Sequence, residues 1–168
     1  MREYIVTCCS TADMSRTFME TNEVPFAMFH YQLDGKEYAD DLYSSISPEV
    51  FYKMIGDGAQ PVTSQVNAEA YCALFEPVLK SGKDVLHLTL SSGISGSINS
   101  ANVAKAQMEE KYPDRRVMVV DPLRLLPVTV CWWNRRWRTS VPECLWRKMQ
   151  HGSWRIAIPC ITGFSPRI

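Results

Sequence analysis

The stretch from Asp84 to Ser97 constrains the fold more than any other, because its hydrophobic pattern changes period halfway along. Asp84-Val85-Leu86-His87-Leu88-Thr89-Leu90 is short, mostly apolar and bounded by Gly82 and Gly93, which favours a buried strand over a helix segment. Ser95 to Lys111 then carries Ala, Met, Gln, Glu and Lys, sets Ile98, Ala101 and Met108 on roughly one face and stops just before Pro113, which predicts a helix. Leu90-Ser91-Ser92-Gly93-Ile94-Ser95-Gly96-Ser97 joins the two. A strand that turns through Gly and Ser into a helix gathers unpaired backbone N–H groups, the positive end of the helix dipole and several hydroxyls at one spot. Such a spot suits an anion, although a serine ahead of a helix also serves as a plain N-cap.

The rest of the chain up to Asp121 repeats this alternation. Tyr4 to Cys9 reads as a first strand, and Ser10-Thr11-Ala12-Asp13 as the turn into a helix. Val24 to Tyr31 reads as a second strand, followed at Leu33-Asp34-Gly35-Lys36 by a tight hairpin turn. Ser47-Pro48-Glu49 supplies a cap, a first-turn proline and an acid for a helix that places Val50, Phe51, Met54 and Ile55 on one face before Gly56 and Gly58. Pro61-Val62-Thr63-Ser64-Gln65 reads as a polar loop. It leads to Asn67, the N-cap of a helix with Tyr71, Leu74, Phe75, Val78 and Leu79 on one side and Gly82 at its close. Arg116 to Val120 reads as a last strand. Strands alternating with helices predict an α/β architecture, doubly wound around a mostly parallel sheet, and such sheets bind ligands at the carboxyl ends of their strands. The hydroxyl-rich segments 10–13, 63–65 and 91–97 are expected to meet at that edge.

A net charge of zero over 168 residues conceals two unlike parts. Residues 1–121 hold ten Lys/Arg and seventeen Asp/Glu, a balance of −7, whereas residues 122–168 hold eight Lys/Arg and only Glu143, a balance of +7. All five Trp (Trp132, Trp133, Trp137, Trp146, Trp154) fall in the second part. The boundary is therefore expected at 121. Met1-Arg2-Glu3-Tyr4 leads straight into a strand with no apolar leader, and no later run is long enough to span a bilayer, so no transmembrane segment and a cytoplasmic location are expected. Cys8, Cys9, Cys72, Cys131, Cys144 and Cys160 show neither a CxxC pair nor zinc-ligand spacing, which leaves free thiols and no metal as the expectation.

Several chemistries lack their residues. Gly93-Ile94-Ser95-Gly96-Ser97 fails at the last position of a hydrolase elbow, and a base for Ser95 would have to be His30, His87 or His151, of which His87 sits inside a strand. No Gly-rich phosphate loop follows the first strand, which disfavours nucleotides, and an acidic body without a basic aromatic stripe disfavours nucleic acid. A carboxylate on a cradle of neutral hydroxyls and N–H groups, with an apolar cavity behind it, agrees best with these residues. Hydrolysis of an ester or acyl substrate through Ser95 is the alternative.

Ser10-Thr11-Ala12-Asp13, Asp34-Gly35-Lys36-Glu37-Tyr38, Pro61-Val62-Thr63-Ser64-Gln65 and Leu90 to Ser97 occur in the order and spacing of one family, and over residues 1–121 the chain resembles the DegV family of fatty-acid-binding proteins. The resemblance implies two α/β domains enclosing a long-chain fatty acid such as palmitate, with no cofactor. It also implies a non-catalytic role, in which the lipid is presented to the catalytic subunit of a fatty acid kinase that phosphorylates the carboxylate. By motif match, Thr63 and Ser95 would contact the carboxylate, Ser91, Ser92, Gly93 and Gly96 would shape the cradle, and Ser64 and Ser10 would complete the ligand-binding set. Two departures touch secondary contacts: Cys8-Cys9 stands where the family commonly has Thr-Asp, and Val62 where a second Thr is usual.

After Asp121 the family continues into a whole second domain that brings Arg and His near the carboxylate, whereas this chain has Pro122-Leu123-Arg124-Leu125-Leu126 and a Trp/Arg-rich tail, so the second domain is expected to be missing. Allowed codons from Leu123 onward, read two bases later, yield Ala-Ala-Ser-Ser-Gly-Tyr-Gly-Leu-Leu-Val-Glu and, near the end, Val-His-His-Trp-Phe, which look like the family's continuation. An out-of-frame tail over 122–168, packing poorly on the first domain, is the expectation; a basic tail that binds an acidic partner or a membrane surface is the alternative. With one wall of the lipid cavity lacking, the 168-residue chain is expected to bind fatty acid weakly.

Overall fold

The structure is a computed structural model and describes residues 3–12 and 14–121. The expectations on Asp13, on His151 and on the 122–168 tail lie outside the described residues. Along the described chain run β1 (Tyr4–Cys9), a 3-10 turn (Ser10–Ala12), α1 (Arg16–Thr21), β2 (Phe26–Ala27), β3 (His30–Leu33), β4 (Lys36–Ala39) and α2 (Pro48–Gly56). They are followed by β5 (Val62–Ser64), α3 (Ala68–Lys80), β6 (Asp84–Leu88), α4 (Ser97–Lys111) and β7 (Val117–Val120).

Four strands form a parallel sheet in the order β2-β1-β6-β7. The chain leaves β1 toward β2 on one side and resumes with β6 on the other, so the strand order reverses between β1 and β6; the ends of these strands flank the crevice where sheets of this kind take their ligands. Helices cover both faces. Tyr71, Phe75, Val78 and Leu79 of α3 and Ala101, Ala104 and Met108 of α4 pack with Val85 and Val117 on one side. Met19 of α1 packs with Cys8, Val24 and Leu42 in a second cluster. The doubly wound architecture is thus as expected. α3 begins at Asn67, whose side chain accepts the Ala70 amide at 2.8 Å, as its sequence predicts.

Two expectations are corrected. Val24 to Tyr31 is not one strand: Phe26–Ala27 joins β1 in the parallel sheet, whereas His30–Leu33 belongs to a separate antiparallel sheet of order β4-β3-β5. The break falls where the Ser10 hydroxyl takes the Phe29 amide at 3.1 Å, removing a ladder donor between the two pieces. Residues 61–65 are not simply a loop either, since Val62–Ser64 pairs with His30–Gln32. All three are exposed, so no buried face marked the strand in the sequence. The β3–β4 hairpin turns at Asp34 and Gly35, with φ of 52° and 78°; positive φ at both central residues is the requirement of a two-residue type I′ turn, which Asp-Gly meets at low cost.

Candidate functional site

Residue register fixes which hydroxyl segments meet. Cys8 lies opposite Leu88 in the β1–β6 pair, so the turn that begins at Ser10 and the loop from Thr89 to Gly96 leave neighbouring strands at the same edge. The segment after β5 reaches this edge through Gln65, whose side-chain Oε1 and Nε2 lie 2.9 and 3.1 Å from where a β-carbon on Gly96 would stand. Only a glycine permits that approach without displacement of Gln65. Gln65 is thereby set against the N-terminus of α4.

The β6–α4 loop is held by its own polar groups. The Ser91 carbonyl accepts the amides of Ile94 and Ser95 at 2.9 and 3.0 Å, and its hydroxyl accepts the Gly93 amide at 3.2 Å. Ser92 donates its amide and its hydroxyl to the two carboxylate oxygens of Asp121, at 3.2 and 2.5 Å. α4 begins two residues later than the sequence suggested. The N-cap position is Gly96, which has no side chain to cap with, and the Ser95 Oγ instead accepts the Ser97 amide at 3.2 Å and pairs with the Ser97 Oγ at 2.9 Å.

The sequence candidates therefore divide by what their hydroxyls already do. Ser10 is buried with its Oγ on the Phe29 amide. Ser64 donates to the His30 carbonyl at 3.2 Å, and Ser92 donates to Asp121. Gly93 has its amide on Ser91, and Gly96 provides the space for Gln65. Thr63 is exposed, and its hydroxyl makes no hydrogen bond to another described residue; Ser95 is half-buried, and among the described residues its hydroxyl bonds only Ser97. Asp121, Gln65 and Ser97 were not among the sequence candidates. An acid closing a strand beside a serine-rich loop was the available signal for Asp121.

Beneath this edge lies an uncharged polar chain. Thr7 Oγ1 is 2.9 Å from His87 Nδ1, His87 Nε2 is 3.8 Å from Cys9 Sγ, and Cys9 Sγ is 3.5 Å from the Tyr71 hydroxyl. Full burial drives the His87 pKa down to about 3, so the ring is neutral near pH 7. Burial likewise pushes the Cys9 thiol and the Tyr71 phenol up, so both keep their protons. His87 is a core residue, as its place in a strand predicted, and it bonds Thr7 and Cys9 and not Ser95. Cys8 and Cys9 are buried free thiols, Cys72 is a half-buried one, and the described residues contain no cluster of metal-ligating side chains. No helix among them is long and apolar enough to cross a membrane.

Comparison with known proteins gives the same answer from several directions. The family model for uncharacterised proteins of the DegV family matches residues 5–125. A DegV domain-containing protein of Clostridium perfringens is 32% identical over 121 residues, a match that covers 72% of this chain and 42% of that protein. The crystal structure of a stearic-acid-binding protein from Eubacterium ventriosum superposes with a TM-score of 0.68 at 25% identity, covering 94% of this chain and 52% of that one. The fatty acid kinase B3 protein of Streptococcus pneumoniae, loaded with linoleic acid, shares the fold with a TM-score of 0.58 at 19% identity, covering 98% of this chain and 54% of that one. The chain spans less than half the length of its Clostridium relative, and over that span its sequence and its fold agree with one group of proteins: it belongs to the DegV family.

Proposed function

We propose that this chain holds the carboxylate of a long-chain fatty acid such as palmitate through Thr63 and Ser95, and presents the lipid to a separate fatty acid kinase subunit without performing catalysis itself. The observation that carries this reading is the division of hydroxyls: Ser64 and Ser92 donate to protein oxygens, while the Thr63 hydroxyl stands unbonded among the described residues and Ser95 is half-buried at the start of α4, whose N-cap residue Gly96 has no side chain. A carboxylate needs hydrogen-bond donors and a favourable dipole, and both are present. Ester hydrolysis would need a base at Ser95, and its hydroxyl pairs with Ser97. The family resemblance is what supports the kinase partner.

The family's two-domain enclosure makes the acyl chain the larger part of the affinity, at about 0.8 kcal/mol per buried CH₂. Neutral hydrogen bonds at an open cradle add only about 0.5–1.5 kcal/mol each. We therefore propose that the 168-residue chain binds weakly, and that a version joined to a second DegV domain at residue 121 binds tightly. Native mass spectrometry for a co-purified fatty acid and calorimetric titration with palmitate test this on both versions, with Ser95→Ala expected to weaken each. Submicromolar binding by the short chain would show that the second domain is dispensable. An ester-cleaving activity abolished by Ser95→Ala would overturn the binding role. The out-of-frame reading of residues 122–168 is carried by the change of charge and composition at 121, and sequencing the gene across that codon tests it.

A further inference from the structure

We propose that Ser97 is a positioning residue, which acts through Ser95 by supplying the proton between their two hydroxyl oxygens and so frees the Ser95 proton for an anionic ligand. This rests on the carboxylate reading above, and it follows from counting hydrogens. The two oxygens lie 2.9 Å apart, a hydrogen-bond distance that holds one proton between them. The Ser95 Oγ also accepts the Ser97 amide at 3.2 Å, a bond whose donor is fixed because the amide can only donate. A serine hydroxyl has one hydrogen. If Ser95 places it on Ser97, nothing remains for a carboxylate; if Ser95 turns it to the carboxylate, the proton between the oxygens must come from Ser97.

Ser97 is suited to that part. It is fully buried, so water does not compete for its hydroxyl, and it is the first residue of α4, which fixes it relative to the loop. The Tyr71 phenol, also fully buried, lies beside Ser97 and carries a proton of its own, so it can donate to the Ser97 oxygen while Ser97 donates to Ser95. Ser97 is thereby the link between the buried polar chain and the half-buried Ser95. With Ser97 donating, Ser95 accepts two hydrogen bonds and is polarised as a donor, the cooperative arrangement that strengthens a bond to an anion.

The test uses the 168-residue chain and two soluble probes, octanoate and octanol, titrated while the backbone amide resonances of Ser95 and Gly96 are followed by NMR, which reads weak binding. Ser97→Ala is expected to weaken octanoate about three- to tenfold, the share of one lost hydrogen bond, to leave octanol unchanged, and to have no effect when Ser95→Ala is already present. Ser97→Thr, which keeps the hydroxyl, is expected to bind octanoate like the parent. Unchanged octanoate binding in Ser97→Ala, an equal loss for octanol, or the same loss in the Ser95→Ala background overturns the proposal while leaving carboxylate binding intact. If the parent chain binds no octanoate, the carboxylate reading falls and this proposal with it. Should Ser97→Ala fail to fold, judged by its amide spectrum, Ser97→Cys takes its place. Its weaker donor is expected to give a loss in the same direction, and unchanged binding overturns the proposal.

Discussion

Helices α2 and α3 begin with equal care and end in different surroundings. Ser47 takes the Val50 amide at the start of α2, and Asn67 takes the Ala70 amide at the start of α3. Yet α3 buries Tyr71, Phe75, Val78 and Leu79, while α2 buries none of its nine residues. α3 lies on the parallel sheet. α2 meets the small antiparallel sheet through aromatic edges, with Tyr31 and Phe51 rings 5.4 Å apart and Tyr31 stacked on Tyr38 at 5.5 Å. Caps and periodicity determine that a segment is helical, and long-range neighbours determine how much it contributes. The candidate site straddles the difference, since Ser95 precedes a helix of the packed body and Thr63 lies in β5 of the flap that the β4-β3-β5 sheet and α2 make.

The contrast is tested most strongly by paired truncations. Phe75→Ala, in the packed body, is expected to lose about 3–5 kcal/mol, and Phe51→Ala, in the flap, about 1 kcal/mol. Urea unfolding monitored by circular dichroism measures both, and equal losses would erase the distinction. Next in size is acid. Because burial holds the His87 pKa at about 3 in the folded chain, below its value of 6.5 when unfolded, only the unfolded state takes up a proton between these limits. Stability is complete above about pH 6.5 and falls toward pH 3 by about 1.4 kcal/mol per unit. His87→Gln is expected to remove that slope between about pH 6.5 and 4.5, above the range in which Glu76, held down to about 2 by Lys111, Tyr112 and Lys80, adds its own; a slope that persisted in that upper range would place its origin elsewhere.

Smaller effects separate the flap from the body. Gly35→Ala forces a β-carbon into φ of +78° with nothing nearby to collide with, so only the backbone term remains, about 1 kcal/mol. Hydrogen exchange is expected to show faster opening of β3 and β4 with β1 and β6 unchanged; a uniform change would mean that flap and body unfold together. Gly96→Ala has the least effect on stability, about 0.5 kcal/mol from the poorer N-cap, because the Gln65 side chain that it meets is flexible at its end. It is expected to weaken carboxylate binding all the same, and unaltered binding in titration would show that contact between Gln65 and the α4 turn is incidental to the site.

Much of the fold was legible where the cause is local. Asn67, Ser47-Pro48 and Asp34-Gly35 each act within four residues, and each produced the expected cap or turn. What could not be read depends on distant partners. β5 exists because His30 to Gln32 offers it an edge, and its exposed residues carry no alternation to announce it. The doubly wound sheet and the serine-rich turn were visible from composition and period, but the separation of Thr63 and Ser95 from Ser10, Ser64 and Ser92 was not. It depends on acceptors such as Asp121, 29 residues beyond Ser92, and the His30 carbonyl, 34 residues before Ser64.

The β1–β6 register also sets an order of events during synthesis. Tyr4 is paired with Asp84, so the strand made first cannot fill its inner edge until eighty further residues have been added. The hairpin between His30 and Ala39 closes over a handful of residues and can form as soon as it emerges. For most of translation, then, the nascent chain carries a finished hairpin and an unmatched apolar strand, the kind of edge that recruits other unfinished chains. The segment that ends this exposure is Asp84 to Leu88, and the serine-rich turn follows directly behind it.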